Sequence, residues 1–224
     1  MTISEVLDAV KACELKQLGV VLNLNSTDVA IQEQAMKDIL TYIDLGLVEL
    51  YKRFNLRTEE TVITMVEGQT FYTLDEAQPY IGSMPGRFNH VLGCFDEVGN
   101  NYTLNDENDA LTILNPIWNQ LQVPNPVGGE ALYVIYNSAQ DRINWNTDYA
   151  TTIAQTIPLP PYMLEALLLY IGYRGNSSLD ATLQTDNNTY YMRFEASCAN
   201  VEKFGVTTHS DDNERDRLHE KGFV

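Results

Sequence analysis

Adjacent carboxylates are the side chains of this 224-residue chain whose type and spacing come closest to a catalytic pattern. Asp96 precedes Glu97 and Glu59 precedes Glu60, and two close acids can act as a general acid and a general base. Neighbouring residues of a strand point to opposite faces, however, so adjacency in sequence does not make a catalytic pair. We therefore expect neither pair to catalyse a reaction.

Two further acidic segments have residue types that could hold a metal ion. Residues 106–109 read Asp-Glu-Asn-Asp, but the EF-hand pattern fails because Leu111 stands where glycine is required and Ile117 where a bidentate glutamate belongs. Near the C-terminus, a second possible set of metal ligands comprises His209, Asp211, Asp212 and His219. A solvated acidic turn and a charged tail account for these segments more simply, so we predict no metal site.

The sequence lacks the common motifs of phosphate binding and hydrolysis. It contains no GxxxxGK[ST] loop, no GxGxxG turn, no GxSxG elbow and no HExxH helix. Only three histidines are present, which leaves few partners for a histidine-based triad. We therefore predict that the protein is not an enzyme and has no catalytic, cofactor-binding or metal-binding residues.

The charge of the chain is strongly negative and unevenly distributed. The formal net charge is −17, and residues 58–141 carry twelve acids against one base, Arg87, which gives that segment −11. This excess of acidic residues argues against nucleic-acid binding, because phosphate binding requires clustered Lys and Arg. A negatively charged surface would instead repel the DNA backbone, so that DNA could slide past without binding. The alternative is that the acidity only keeps the protein soluble.

Cysteine usage and the N-terminal residues indicate where the protein is made. The three cysteines are widely spaced, without a CxxC pair, which predicts free thiols and synthesis in a reducing compartment. The first residues include acids where a signal peptide would carry basic residues. No apolar run approaches the ~20 residues that a membrane span requires. We expect a soluble protein that is made inside the cell and does not bind a membrane.

Helical periodicity appears at both ends of the chain. The pattern predicts a short helix over residues 4–18 ended by Gly19, then an apolar link, then a long amphipathic helix over 26–55. Gly46, inside the long helix, marks either close packing or tolerated looseness. A second pattern begins at Pro160 and ends near Arg174, with apolar residues nearly all round, which indicates burial on several sides. A last helix is predicted from Leu179 or Thr185 to Phe204.

Between these helices the hydrophobic period changes from 3.6 to two. Strands are predicted at 61–66, 71–74, 87–95, 103–104, 111–114 and 131–137, separated by turn residues such as Gly99-Asn100 and Asn115-Pro116. The fold class is therefore α+β: a helical bundle of about four helices with an inserted small antiparallel β-sandwich or barrel and an extended C-terminal arm. We assign residues 1–57 and 142–208 to the bundle, 58–141 to the acidic insertion and 209–224 to a charged tail.

Three short stretches give the chain a resemblance to a known family. They are TYIDLGLVELYKRF from Thr41 to Phe54, PPYMLEALLLYIGYR from Pro160 to Arg174, and RFEASC from Arg193 to Cys198. With the strand-rich insertion between the first two, the chain resembles the bacteriophage head-to-tail adaptor, or connector, proteins of the short-tailed phage type. The resemblance covers most of the chain in the order of its elements, but its sharp parts are these helical stretches.

The resemblance implies a structural role in the virion. Such proteins form a ring, usually of twelve copies, that docks beneath the portal and receives the tail nozzle or tube, and the C-terminal arm reaches along the portal. DNA would pass through the ring without specific binding. The chain would then be made in the host cytoplasm and lie in the neck of the phage particle. Its expected partners would be the portal protein and the nozzle or tube protein, with a tail fibre as a further candidate.

Specific contact residues follow from the resemblance and from composition. The residues expected to contact the portal are Arg215, Arg217, Lys221, Phe223 and Val224. The residues expected to contact a neighbouring subunit are Tyr170, Tyr173, Arg174 and Tyr191, although ordinary packing within the subunit explains the tyrosines equally well. The alternative function is a phage-tail binding module in which the β insertion engages a fibre or receptor, and exposed aromatics on the insertion would favour it.

Overall fold

A computed structural model of the chain describes residues 1–75, 78–106, 108–109, 111–145, 149–177 and 184–203. Helices and antiparallel sheets are both present, so the predicted α+β class is confirmed. The described residues form two compact units. A helical unit comprises Met1–Asn55 and the described residues from Arg142 onward, and a strand unit comprises Leu56–Asp141.

The first helices differ from the prediction of a single helix over 4–18. Helix α1 spans Ile3–Ala12 and begins with a capping box between Thr2 and Glu5. Cys13 then adopts an extended conformation and caps a 3₁₀ turn at Glu14–Gln17, because its Sγ accepts a hydrogen bond from the Leu15 amide at 3.4 Å. The predicted link is also wrong, since Gly19–Asn23 forms the short helix α2.

Helix α3, Val29–Arg53, confirms the long amphipathic prediction. Asp28 caps its first turn by accepting a hydrogen bond from the Ala30 amide at 2.9 Å. Its buried stripe comprises Ala35, Met36, Ile39, Leu40, Ile43, Gly46, Leu47, Leu50 and Tyr51. A Cβ built on Gly46 would lie 2.7 Å from Cδ1 of Leu167, so this glycine marks close packing.

The remaining helices complete the helical unit from the C-terminal part of the chain. Helix α4 spans Tyr149–Ile153 and was not predicted. A 3₁₀ turn at Pro161–Met163 leads into helix α5, which spans Leu164–Ser177. Helix α6 spans Gln184–Lys203. Burial of α5 on several sides is confirmed. The chain start joins this part directly, because the Ile157 amide donates to the Met1 carbonyl at 2.7 Å. Both halves of the sequence thus build one unit.

In its described residues, the strand unit has seven strands in two antiparallel sheets. The strands are β1 Thr58–Thr64, β2 Phe71–Thr73, β3 Arg87–Phe95, β4 Asn101–Tyr102, β5 Leu114–Ile117, β6 Gln120–Gln122 and β7 Ala131–Ala139. The first sheet has the order β1-β7-β3-β4 and the second the order β2-β6-β5. Both sheets contribute buried side chains to one core cluster, among them Ile63 and Val134 from the first sheet and Tyr72 and Leu121 from the second.

Three short strands were misplaced or missed by the sequence patterns. The predicted strand 111–114 is wrong at its start, because the Leu111 amide donates to Asp109 and closes a turn. The strand instead runs through Pro116, which is tolerated because β5 is an edge strand. Strand β4 lies at Asn101–Tyr102 rather than 103–104, and β6 was not predicted.

Candidate functional site

The last turn of α3 and the outer part of α6 are joined by an ion-pair network. Nη1 of Arg53 lies 2.7 Å from Oε2 of Glu195, and Nε lies 2.6 Å from Oε1 of Glu202. Hydrogen bonding to Glu202 raises the pKa of the Arg53 guanidinium. The hydrogen bond from Arg53 lowers the pKa of Glu195, whose carboxylate also accepts a hydrogen bond from the Tyr191 hydroxyl. One arginine therefore fixes the position of Tyr191.

Four aromatic rings lie between α5 and α6 and form a continuous contact that we call the aromatic seam. Its members are Tyr170, Tyr173, Tyr191 and Phe194. Ring centroids lie 5.3 Å apart for Tyr170 and Phe194 and 5.1 Å apart for Tyr173 and Tyr191. Burial raises the pKa of Tyr170, and the hydrogen bond to Glu195 raises that of Tyr191. These tyrosines pack within the subunit, and Tyr191 keeps 42% of its surface exposed.

The residues expected to contact a neighbouring subunit therefore lie together. Tyr170, Tyr173 and Tyr191 share the aromatic seam, and Arg174 follows Tyr173 in the last turn of α5. Whether a second subunit covers them stays a prediction. The residues expected to contact the portal, and the four histidine and aspartate residues of the possible C-terminal metal site, lie outside the described residues.

A groove of about 390 Å³ lies against the first sheet of the strand unit; we call it the acidic groove. It is lined by Glu60 from β1, Phe95 at the end of β3, Tyr133 and Ile135 from β7, and the turn residues Asp96, Glu97, Val98 and Gly99. The lining of the acidic groove thus combines apolar and aromatic side chains with three carboxylates. Sequence reasoning placed these acids in two separate adjacent pairs and missed the groove, because β1, β3 and β7 meet only through long-range pairing.

The carboxylates of the acidic groove do not have the environment of a catalytic pair. Asp96 accepts hydrogen bonds from the Val98 amide at 2.9 Å and the Asn100 amide at 2.8 Å, and Glu97 accepts from the Ala131 amide at 2.8 Å. The bonds to Asn100 lower the pKa of Asp96, the opposite of what a proton donor requires at neutral pH. Asp96 therefore carries a negative charge that its hydrogen bonds hold in place.

The other adjacent pair is divided in the same way. Oε1 of Glu59 lies 2.7 Å from Nε of Arg57, whereas Glu60 is exposed and lines the acidic groove. Arg57 also reaches Asp141, with 3.4 Å between Nη1 and Oδ2. Hydrogen bonding to Glu59 raises the pKa of Arg57. The two neighbouring acids thus belong to different interactions, as expected for consecutive residues of a strand, which point to opposite faces.

A second groove of the strand unit is centred on an exposed tryptophan; we call it the Trp118 groove. It has a volume of about 370 Å³ and is lined by Leu74, Asp75, Met84, Gly86, Arg87, Phe88, Trp118 and Asn119. Trp118 is 65% exposed and its ring centroid lies 6.0 Å from that of Phe88, which packs in turn on the buried Tyr136. An aromatic platform is therefore anchored to the core and presented to solvent.

The acidic turn around residue 106 has the hydrogen bonds of a structural turn. Oδ1 of Asp106 accepts from the Asn108 amide at 2.9 Å, and Oδ2 of Asp109 accepts from the Thr103 hydroxyl at 2.6 Å. Within the described part of the chain, no group of three or more His, Cys, Asp or Glu side chains is arranged so that it could hold a metal ion. Nor does any helix there combine the length and apolarity needed to cross a lipid bilayer.

Comparison with known proteins adds no assignment to this geometry. No protein-family model matches the chain, and no curated protein sequence matches it.

Proposed function

We propose that the chain is a structural virion protein, a head-to-tail adaptor that forms a ring between the portal and the tail nozzle or tube. The proposal includes a non-enzymatic role, about twelve copies per ring, and a DNA channel that binds no specific sequence. It places the protein in the neck of the phage particle. Within it, the helices form a bundle of about four principal helices, the strands form a small sandwich, and residues 209–224 act as an arm along the portal.

The observation that carries this proposal is the insertion of one acidic unit into another unit. Residues 56–141 form a compact strand unit, while both flanking parts of the chain contribute to the helical unit. The hydrogen bond between Ile157 and Met1 holds those flanking parts together. An adaptor of the family that the sequence resembles would use such a layout to present a negative insertion from a helical base. Fixed negative charge near a channel would repel the DNA backbone.

Native mass spectrometry of the purified protein, with and without portal rings of its own phage, tests the proposal. The expected result is a monomer alone and a closed ring of about twelve copies on the portal. A matched control replaces the portal with a ring-shaped protein of similar size from an unrelated source. A chain that stays monomeric and ignores its portal contradicts the adaptor function.

The Trp118 groove favours a second candidate function, a tail module that binds a fibre or a receptor. Exposed aromatics on the strand unit, Trp118 at 65% and Phe71 at 47%, are the feature that distinguishes this alternative. Aromatic faces flanked by polar side chains also suit saccharides and peptide side chains. Binding of the full chain to glycan arrays, lost in Trp118→Ala and kept in Phe71→Ala, would support it over the adaptor function.

A further inference from the structure

Strand β7 is apolar on both faces although it belongs to an antiparallel sheet. Leu132, Val134 and Tyr136 point into the core, whereas the alternate residues Tyr133 and Ile135 line the acidic groove. A sheet with one face in water normally carries polar residues on that face. The continuous apolar run of β7 therefore indicates a sheet that is covered on both sides in the assembled protein.

The charge around this apolar surface restricts what can cover it. Glu60, Asp96 and Glu97 line the same groove, and the backbone bonds of Asp96 and Glu97 hold two of the carboxylates in place. Desolvating three negative charges is costly unless the occupant supplies positive charge. A complementary occupant therefore combines a cationic side chain with a flat apolar group.

The strand unit itself carries a matching surface. Its sequence contains two basic residues of the Lys or Arg type, and Arg57 is engaged with Glu59 and Asp141. The other, Arg87, is exposed and lines the Trp118 groove beside the exposed indole. The one acid among the residues that line this groove, Asp75, already has an interaction of its own. Arginine and tryptophan are the residue types most enriched in the energetic centres of protein interfaces.

Strand geometry prevents one copy from joining these two surfaces within itself. Arg87 pairs with Ala139 at one end of β3, and Phe95 pairs with Tyr133 at the other end. Measured along the partner strand β7, six residue steps at about 3.3 Å each separate the two ends by roughly 20 Å, because two register shifts shorten β3. Two different complementary patches at opposite ends of an element produce a head-to-tail contact, which generates a ring when the rotation closes.

We propose that the Trp118 groove of one copy docks into the acidic groove of the next copy. Arg87 then faces Glu60, Asp96 and Glu97, while Trp118 covers the apolar floor formed by Phe95, Tyr133 and Ile135. The closed ring rests on the proposed adaptor function, but the pairwise contact does not require a portal. A fibre or portal segment with the same chemistry would compete for the acidic groove.

Charge reversal on the full chain tests the contact. Arg87→Glu and Glu60→Arg change exposed side chains at the two patches, and the double variant restores opposite charges across the interface. Each single variant is expected to weaken copy-to-copy association about tenfold or more. Sedimentation measures this association at protein concentrations raised well above those at which the parent protein is a monomer. The double variant, and an equimolar mixture of the two single variants, should regain association. Glu33→Arg, on an exposed residue of α3, makes the same charge change as Glu60→Arg and serves as its control. Lys52→Glu, on a side chain that is 73% exposed, is the control for Arg87→Glu.

The outcomes separate this contact from the adaptor function. Single variants that associate as strongly as the parent protein overturn the contact, as does a parent protein whose copies never touch in solution or on the portal. Portal capture is scored separately for each variant. If both charge-reversal variants bind portals and their copies associate as strongly as those of the parent protein, the chain is an adaptor with a different subunit interface. Circular dichroism of each variant confirms that a loss of association is not a loss of folding.

Discussion

Arg53 and Glu195 stand 142 positions apart in the sequence, yet Nη1 of Arg53 lies 2.7 Å from Oε2 of Glu195. The same guanidinium bonds Glu202, two helical turns further along α6, so its planar fork holds two points of one helix face. Glu195 also binds the Tyr191 hydroxyl. The contact between Arg53 and Glu195 therefore holds α6 against α3 and helps to position one ring of the aromatic seam. The first two predictions concern this network.

Replacement of Arg53 by alanine is expected to destabilise the helical unit. The side chain is 26% exposed and makes two charge-assisted hydrogen bonds, so we expect a loss of about 1–2 kcal/mol in the free energy of unfolding. Lys52→Ala is the matched control, because Nζ of Lys52 lies 3.7 Å from Glu49 and its side chain is 73% exposed. That change should cost no more than about 0.5 kcal/mol. Urea denaturation measures both, and equal effects would contradict the role of Arg53.

Acidification is expected to loosen α6 before the rest of the helical unit. The folded-state pKa of Glu195 is lowered from 4.5, so its contribution to stability is present above that value and is lost as the pH falls through the folded pKa. Solvent screening keeps the contribution modest, because the carboxylate is 42% exposed. Amide hydrogen exchange of α6 across this pH range measures the effect. A Glu195→Gln variant should lack the pH-dependent step, and an unchanged step in that variant would assign it to another group.

Gly46→Ala is expected to destabilise α3 against α5 although alanine favours helix. The added Cβ would lie 2.7 Å from Cδ1 of Leu167 and 3.1 Å from Cδ1 of Tyr170. Overpacking costs about 1–3 kcal/mol, which exceeds the propensity gain of up to ~1 kcal/mol. Gly19→Ala provides the control, since a Cβ added there would have no atom within 4 Å. Thermal unfolding of both variants decides, and a stabilised Gly46→Ala would refute close packing there.

The success of the sequence predictions depended on the length of each periodic segment. Helix α3 was predicted well, because its 25 residues carry a repeated apolar pattern. The bounds of strand β3 were also predicted correctly, although two register shifts interrupt its alternation. The helix predicted over 4–18 was broken by Cys13, whose thiol caps the following turn, and no periodicity signals such a local bond. The position of β4 was set instead by Asp96, which closes the preceding turn. The two local side-chain bonds outweighed the hydrophobic pattern.

The candidate surfaces were less predictable than the elements that carry them. The four residues expected to contact a neighbouring subunit were named from composition and resemblance, and three of them share one seam. The acidic groove could have been anticipated in part from the apolar run of β7, which exceeds what a half-solvated strand needs. Its carboxylates could not, because Glu60 and Glu97 approach the same groove only through the pairing of β1 and β3 with β7.

Thiol reactivity is expected to separate Cys13 from the two buried cysteines. All three are free thiols, and burial raises the pKa of Cys94 to about 12 and that of Cys198 to about 11. Because the thiolate is the nucleophile, iodoacetamide at about pH 8 should modify the partly exposed Cys13 first in the native protein. Peptide mass spectrometry locates the label, with urea-unfolded protein as the control for all three sites. Cys94 labelling at the rate of Cys13 would mean that the strand unit opens readily.

Deletion of residues 209–224 is expected to spare the fold of the subunit and abolish its attachment to the portal. Under the proposed function, this segment supplies Arg215, Arg217, Lys221, Phe223 and Val224 to the portal. Ordering a charged segment on a partner costs conformational entropy, which is offset when many arms of one ring bind together. Circular dichroism and portal capture on density gradients measure the two properties separately.

A chain with the same sixteen residues in shuffled order separates a specific contact from a general effect of charge. If the arm binds as a defined sequence, the shuffled chain should fail to attach as the deleted chain does, because Phe223 and Val224 no longer follow the basic residues at a fixed spacing. If the shuffled chain attaches and the deleted chain does not, the arm binds the portal only through its charge. Rising salt should then release it. A truncated protein that still decorates portals would remove the arm from the mechanism and leave the helical unit as the portal-binding surface.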